Sequence, residues 1–113
     1  MHPTYKAWVL KAKDIDTMVT GRRLGHPVRA IRNPFTREYL KKEYNSNVSD
    51  EELERMGTGS LRKAAVEGNE EEGTFLAGQA AAMVTKEQPA KEIVTEMFAQ
   101  AEEVLKGATK WLK

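Results

Sequence analysis

The sequence contains no cysteine, which excludes a disulfide framework and a thiolate zinc site. Its two histidines, His2 and His26, are too few and too scattered for a metal cluster, so no metal ligand is assigned. No apolar run approaches the roughly 20 residues that cross a bilayer. Lys6, Lys11 and Lys13 interrupt the N-terminal segment, which is not the pattern of a secretory signal. A cytoplasmic protein with no membrane partner is expected. Neither sign of charge prevails: 18 Lys and Arg face 17 Asp and Glu, a net charge of +1, so global charge points to no partner. No glycine-rich phosphate loop, nucleophile elbow or metal-ligand spacing occurs, and no catalytic residue is assigned.

What the chain does contain fits one small globular domain. It has 113 residues, 40% apolar and 31% charged. At that length the core is modest. The reading is mainly α: a small helical domain with a short β-hairpin in its N-terminal third, one unit over residues 1–113.

Pro3 suits a first helical position, and a helix is expected over 3–13. Tyr5, Trp8, Val9 and Ala12 form its apolar stripe. Trp8 is read as core or interface packing, with ligand stacking as the other use of such an aromatic. Ile15, Thr17 and Val19 alternate with polar neighbours as in a strand. Residues 21–25 read as a turn and 28–32 as the returning strand, with Pro27 at its edge. Asn33-Pro34 is an N-cap followed by a first-turn proline, which opens a helix over 34–44. Ser49 and Glu52 form a capping box, and the helix behind them stops at Gly57. Another short helix is expected over 60–66. The last helix begins at Pro89 and keeps helical period from Ile93 to Leu112. Gly107 costs about 1 kcal/mol against alanine there, so fraying of the final turn is expected.

Charge is uneven along this neutral chain. Between Arg22 and Lys42 stand seven basic side chains, Arg22, Arg23, Arg29, Arg32, Arg37, Lys41 and Lys42, against Glu38 alone. From Asp50 to Glu72 acids dominate. Such asymmetry steers an anionic partner, or else screens two facing surfaces of one molecule. Aromatic residues are not interleaved with the basic ones as single-strand binders require, so no nucleic-acid partner is expected. A non-enzymatic helical interaction module remains an alternative use of the cluster.

The stretch from Gly73 to Val84 is the most unusual. It is apolar and rich in small residues, with one uncharged polar side chain, Gln79. A helix over 75–84 is expected, capped by Thr74, with Ala77, Gly78, Ala81 and Ala82 as its small face and Leu76, Met83 and Val84 as its bulk. Small residues admit a close backbone or a flat ligand, and an amide reads hydrogen-bonding edges. A tight helix–helix contact made by Ala77, Gly78 and Ala81 explains the same composition.

Four segments stand in one order: Lys11-Ala12-Lys13-Asp14-Ile15-Asp16-Thr17, Gly25-His26-Pro27-Val28-Arg29, Gly57 to Ala64, and Ala77-Gly78-Gln79. Together they resemble the C-terminal part of FMN-dependent enoyl-acyl-carrier-protein reductase II and of the related nitronate monooxygenases, the 2-nitropropane dioxygenase family. The resemblance covers essentially the whole chain. It implies a TIM-type barrel that binds FMN, with a smaller helical cap over the barrel mouth, where such barrels hold their active sites. This chain resembles the cap, with a final helix that returns to the barrel. The barrel strands, the FMN-phosphate glycines and the barrel histidine near the flavin have no counterpart here. His26 lies in a different motif and is not given that role.

The resemblance implies that Ala77, Gly78 and Gln79 face the flavin and substrate, and that FMN and NAD(P)H serve the full-length enzyme. It implies that the chain alone neither binds FMN tightly nor turns over substrate. The missing barrel becomes the expected first partner. An acidic acyl carrier protein becomes a candidate for the basic cluster Arg22, Arg23, Arg29, Arg32 and Arg37. Apolar stripes on the first helix, on 73–84 and on the last helix are expected to lack their barrel cover, and a homo-oligomer burying the Ala77–Gln79 face follows. The Asp14-to-Thr17 and Gly25-to-Arg29 detail favours the reductase over the monooxygenase.

Overall fold

A computed structural model of the protein describes residues 1–112. Helix α1, Pro3–Lys11, starts at His2, whose Nδ1 accepts from the Thr4 amide at 3.2 Å. Strands β1, Thr17–Thr20, and β2, Val28–Ile31, form an antiparallel hairpin that pairs Thr17 with Ile31 and Thr20 with Val28. Helix α2, Pro34–Glu43, opens with a full capping box. The Asn33 side chain accepts from the Thr36 amide, and the Thr36 hydroxyl accepts from the Asn33 amide, both at 2.9 Å. Helix α3, Asp50–Gly57, is capped by Ser49. Helix α4, Ser60–Arg62, runs directly into a π-helical turn, Lys63–Glu67, which Gly68 ends in the left-handed region. Helix α5, Ala90–Ala108, closes with a 3₁₀ turn, Thr109–Trp111. The last turn, just beyond Gly107, is thus tightened from α to 3₁₀.

An isolated two-stranded hairpin is marginal in water. This one is not isolated. The outer edge of β2 pairs with residues 75–77: the Ile31 amide donates to the Phe75 carbonyl at 2.8 Å, and the Ala77 amide to the Arg29 carbonyl at 3.3 Å. Ala30 and Leu76 form the bridge between them.

This pairing overturns the helix expected over 75–84. Residues 75–77 are extended, and only Gln79–Met83 turns, as a 3₁₀ helix. The unpaired edge of β2 offers hydrogen bonds to an extended segment that a helix would leave unused. The bulk is also reassigned. Leu76, Met83 and Val84 are 38%, 81% and 42% exposed, whereas Phe75 is fully buried. Thr74 is no helix cap; its hydroxyl donates to the Ser60 hydroxyl at 2.9 Å.

The core gathers Tyr5, Ile31, Ala64 and Phe75, with Trp8, Val9, Ala12, Ala65 and Ala77 packed against it. Trp8 stacks on Phe75, centroids 4.9 Å apart and planes 15° apart, so its use is core packing. The α1 stripe is therefore covered from within the chain, not left bare as expected. Helix α5 is the opposite case: none of its residues is buried. Val94, Met97, Phe98, Val104 and Leu105 all face solvent. Lys6–Glu87 and Lys86–Glu96 are ion pairs near its root. The molecule extends 62 × 34 × 19 Å. No helix among the described residues is long and apolar enough to cross a membrane.

Candidate functional site

Two surfaces gather the residues singled out by sequence. The first is a small apolar pocket of about 170 Å³. Its lining draws on four separate segments, among them Gly21, His26 and Val28 of the hairpin, Gly57, Ser60 and Leu61 around α4, and Thr74 and Leu76 of the edge segment. Phe35 and Tyr39 of α2 complete the wall. Two of the four ordered motifs thus share one pocket, and its rim at Leu76 leads into the Ala77–Gln79 motif.

The walls are fixed by buried and half-buried polar ties. The Ser60 hydroxyl donates to the Gly57 carbonyl at 2.8 Å and accepts from Thr74. The Tyr5 hydroxyl donates to the Leu76 carbonyl at 2.7 Å. The Asn33 side-chain NH₂ donates to the carbonyls of Glu70 at 3.0 Å and Gly73 at 2.6 Å, holding the acidic loop against the start of α2. Burial raises the pKa of both Tyr5 and Tyr39; for Tyr39 the charges of Glu43 and Glu54 act in the same direction.

Ala77, Gly78 and Gln79 divide by face. Ala77 packs on the core, while Gly78 and Gln79 are exposed. Ala81 is buried and faces inward. The small-residue stretch therefore packs inward at Ala77 and Ala81, with its 3₁₀ turn against α1, and presents Gly78 and the Gln79 amide outward. A methyl added at Gly78 would meet nothing within 4 Å. This open glycine next to a free amide fits the edge of a flat heterocycle. It does not fit a phosphate, because the described residues contain no glycine-rich run of backbone amides around it.

The second surface is a shallow groove of about 490 Å³ lined by Arg22, Arg29, Arg32 and Arg37, with Met18, Val19, Leu40 and Tyr44 between them. Arg23 lies apart. Its guanidinium pairs with Asp50 at 2.8 Å and donates to the carbonyls of Asn45 at 3.2 Å and Val48 at 2.7 Å. The Arg23 side chain ties the hairpin turn to the loop before α3.

Glu43 was not singled out by sequence, because it sits just past the basic cluster and looks like one more helix-end charge. It is buried, and its carboxylate accepts from the amides of Gly21 at 3.3 Å and Arg23 at 2.8 Å. Gly21 has a positive φ of 80°, and a Cβ there would stand 2.5 Å from the His26 carbonyl oxygen. The turn that positions the pocket wall is thus built from a glycine and a buried carboxylate. No group of three or more His, Cys, Asp or Glu among the described residues is placed to hold a metal ion.

A model of the nitronate monooxygenase family matches residues 1–100. A probable nitronate monooxygenase of Staphylococcus saprophyticus is 30% identical over 102 residues, covering 89% of this chain and 28% of that protein. A probable nitronate monooxygenase of Staphylococcus aureus is 30% identical over 98 residues, covering 86% of this chain and 27% of that protein. The structure of FabK from Thermotoga maritima superposes with a TM-score of 0.90 and 37% identity over 98% of this chain and 35% of its own. A mutant of the same FabK superposes at 0.77 with 34% identity, over 98% of this chain and 32% of its own. The chain spans under a third of the length of the curated relatives it matches.

Proposed function

The chain belongs to the nitronate monooxygenase family, and from that premise we propose that it forms the cap portion of an FMN-dependent oxidoreductase. Its substrate on this reading is an enoyl thioester of acyl carrier protein, reduced at the expense of NAD(P)H in fatty-acid synthesis. FMN, when bound, supplies the hydride relay between a nicotinamide and the β-carbon of the enoyl chain. The chain's own contribution is a wall. Gly78 and Gln79 face the ring system, Ala77 anchors them to the core, and the apolar pocket beneath Leu76 keeps water from that side. Barrel active sites lie at the C-terminal ends of the strands, and such a cap completes them.

One observation carries the choice of reductase: FabK matches at 37% identity and a TM-score of 0.90 over nearly the whole chain. The second reading, nitronate oxidation with oxygen, draws support from the family model and the two staphylococcal relatives. Two chimeras separate them. Residues 1–112 replace the matching segment of Thermotoga FabK in one and of the Staphylococcus saprophyticus relative in the other, since the barrel supplies the reacting groups and the fit of the cap to each barrel is what differs. Each product is assayed with crotonyl thioester plus NADH or NADPH, and with nitronate plus oxygen. Enoyl reduction by the first without nitronate turnover by the second is the expected result. Activity of the second alone overturns the reductase reading; two folded, FMN-loaded chimeras inactive in both assays overturn the cap proposal.

A further inference from the structure

The groove between the hairpin and α2 is unlike the rest of this near-neutral surface. Arg22, Arg29, Arg32 and Arg37 reach it from the turn after β1, from β2, from the chain leaving β2 and from α2. None of the four makes an ion pair among the described residues. The nearby acids are turned elsewhere: Glu38 lies 3.9 Å from Lys41, Glu43 is buried against the turn, and Asp16 accepts from the Lys13 amide at 2.8 Å. Asp16 and Glu70 line a neighbouring cleft beside Arg32 and Arg37 without pairing with them. Among the described residues only Arg29 is tied down, donating to the Thr17 hydroxyl at 3.0 Å. Four guanidinium groups kept free of carboxylates are a preorganised field for an anionic surface.

Between the arginines the groove has half-buried Met18, Val19 and Leu40 and the exposed ring of Tyr44, and the arginines come from several elements instead of converging on one point. A phosphate site concentrates backbone amides and side chains on a single anion. Distributed arginines separated by apolar side chains complement a helix that alternates carboxylates with apolar residues. We propose that this groove docks an acidic helix of a partner protein, with Arg22, Arg29, Arg32 and Arg37 receiving its carboxylates. The inference deepens the reductase reading, on which the acidic partner is the carrier protein that bears the enoyl chain. Arg23, already held by Asp50, has a structural part only.

Binding of labelled holo-acyl carrier protein to the chain, followed by fluorescence anisotropy, tests this without any flavin. Kd should rise by about tenfold between about 20 mM and about 200 mM salt. Arg22→Glu/Arg37→Glu, two exposed positions, should weaken binding by about tenfold or more at low salt, while Lys91→Glu on α5 changes it less than about twofold. Arg22→Gln/Arg37→Gln should fall between, and circular dichroism checks that each variant is folded. Equal affinity of wild type and the arginine reversal overturns the proposal, as does an equal loss in Lys91→Glu. Tripolyphosphate that binds where the carrier does not reassigns the groove to phosphates and also overturns it. Because the chimeras are assayed with a small thioester, failed docking leaves the reductase reading standing, and failed chimeras leave the docking result standing.

Discussion

At the residue scale, stability rests on a few side chains that connect distant segments. Phe75 is fully buried between Tyr5 and Trp8, with ring centroids 5.0 and 4.9 Å away. Phe75→Ala should cost about 3–5 kcal/mol, read from urea unfolding, since it opens a cavity beneath α1. A loss under about 1 kcal/mol would mean that the α1 stripe packs elsewhere. Glu43 works differently. Glu43→Ala leaves the amides of Gly21 and Arg23 without their acceptor, a cost of about 1–3 kcal/mol. The two buried tyrosines give a pH signature. Their folded pKa lies above the ordinary 10.0, with burial as the first cause. Below pH 10 both states keep the proton, and the stabilisation is complete. As pH rises past 10 the unfolded chain deprotonates first, so stability falls until the folded pKa is reached. Midpoints of urea unfolding should drop across that window. Tyr5→Phe should shrink the drop, and an unchanged drop in that variant would remove Tyr5 from the account.

At the element scale, local chemistry made most boundaries legible. Asn33-Pro34, Ser49 and the period from Ile93 onward announce α2, α3 and α5, because caps and periodicity are written in neighbouring residues. The segment after Gly73 failed that kind of reading. Its alanines favour a helix, but the open edge of β2 is supplied by residues more than forty positions earlier. A non-local hydrogen-bonding edge leaves no mark in the segment that will fill it. The same blindness hid Glu43, whose role depends on the amides of the hairpin's own turn, Gly21 and Arg23, far from it in the chain. For the candidate site, the Ala77–Gln79 motif was visible as composition, while the split between inward Ala77 and outward Gly78 needed the strand pairing. That split yields a clean test. Gly78 has φ −78° and open space around it, so Gly78→Ala should leave stability within about 0.5 kcal/mol. In the FabK chimera the same methyl, on the face proposed for the ring, should weaken FMN binding, measured by flavin fluorescence. Unaltered FMN affinity would count against that contact.

At the scale of the whole molecule, α5 is the anomaly. Most of a helix's stability in a protein comes from what covers its apolar face. Here that face is uncovered: Phe98 is 74% exposed, Val104 and Leu105 each 71%. Exposed apolar area at Ala77–Gln79 is small by comparison, so the pressure toward association sits on α5. The superposition on FabK runs over 98% of this chain, and about two thirds of that FabK chain lies outside the match. We therefore expect the face to seek apolar cover, from a barrel on the proposed reading and from a second copy when the chain is alone. Light scattering should show a dimer or larger species. Phe98→Lys/Leu105→Lys should shift it to monomer, because the charges stand on the stripe and interrupt no internal contact. A wild-type monomer at high concentration would sink the idea. A wild-type monomer in which α5 is unprotected in hydrogen exchange would further show that the helix forms only against its partner.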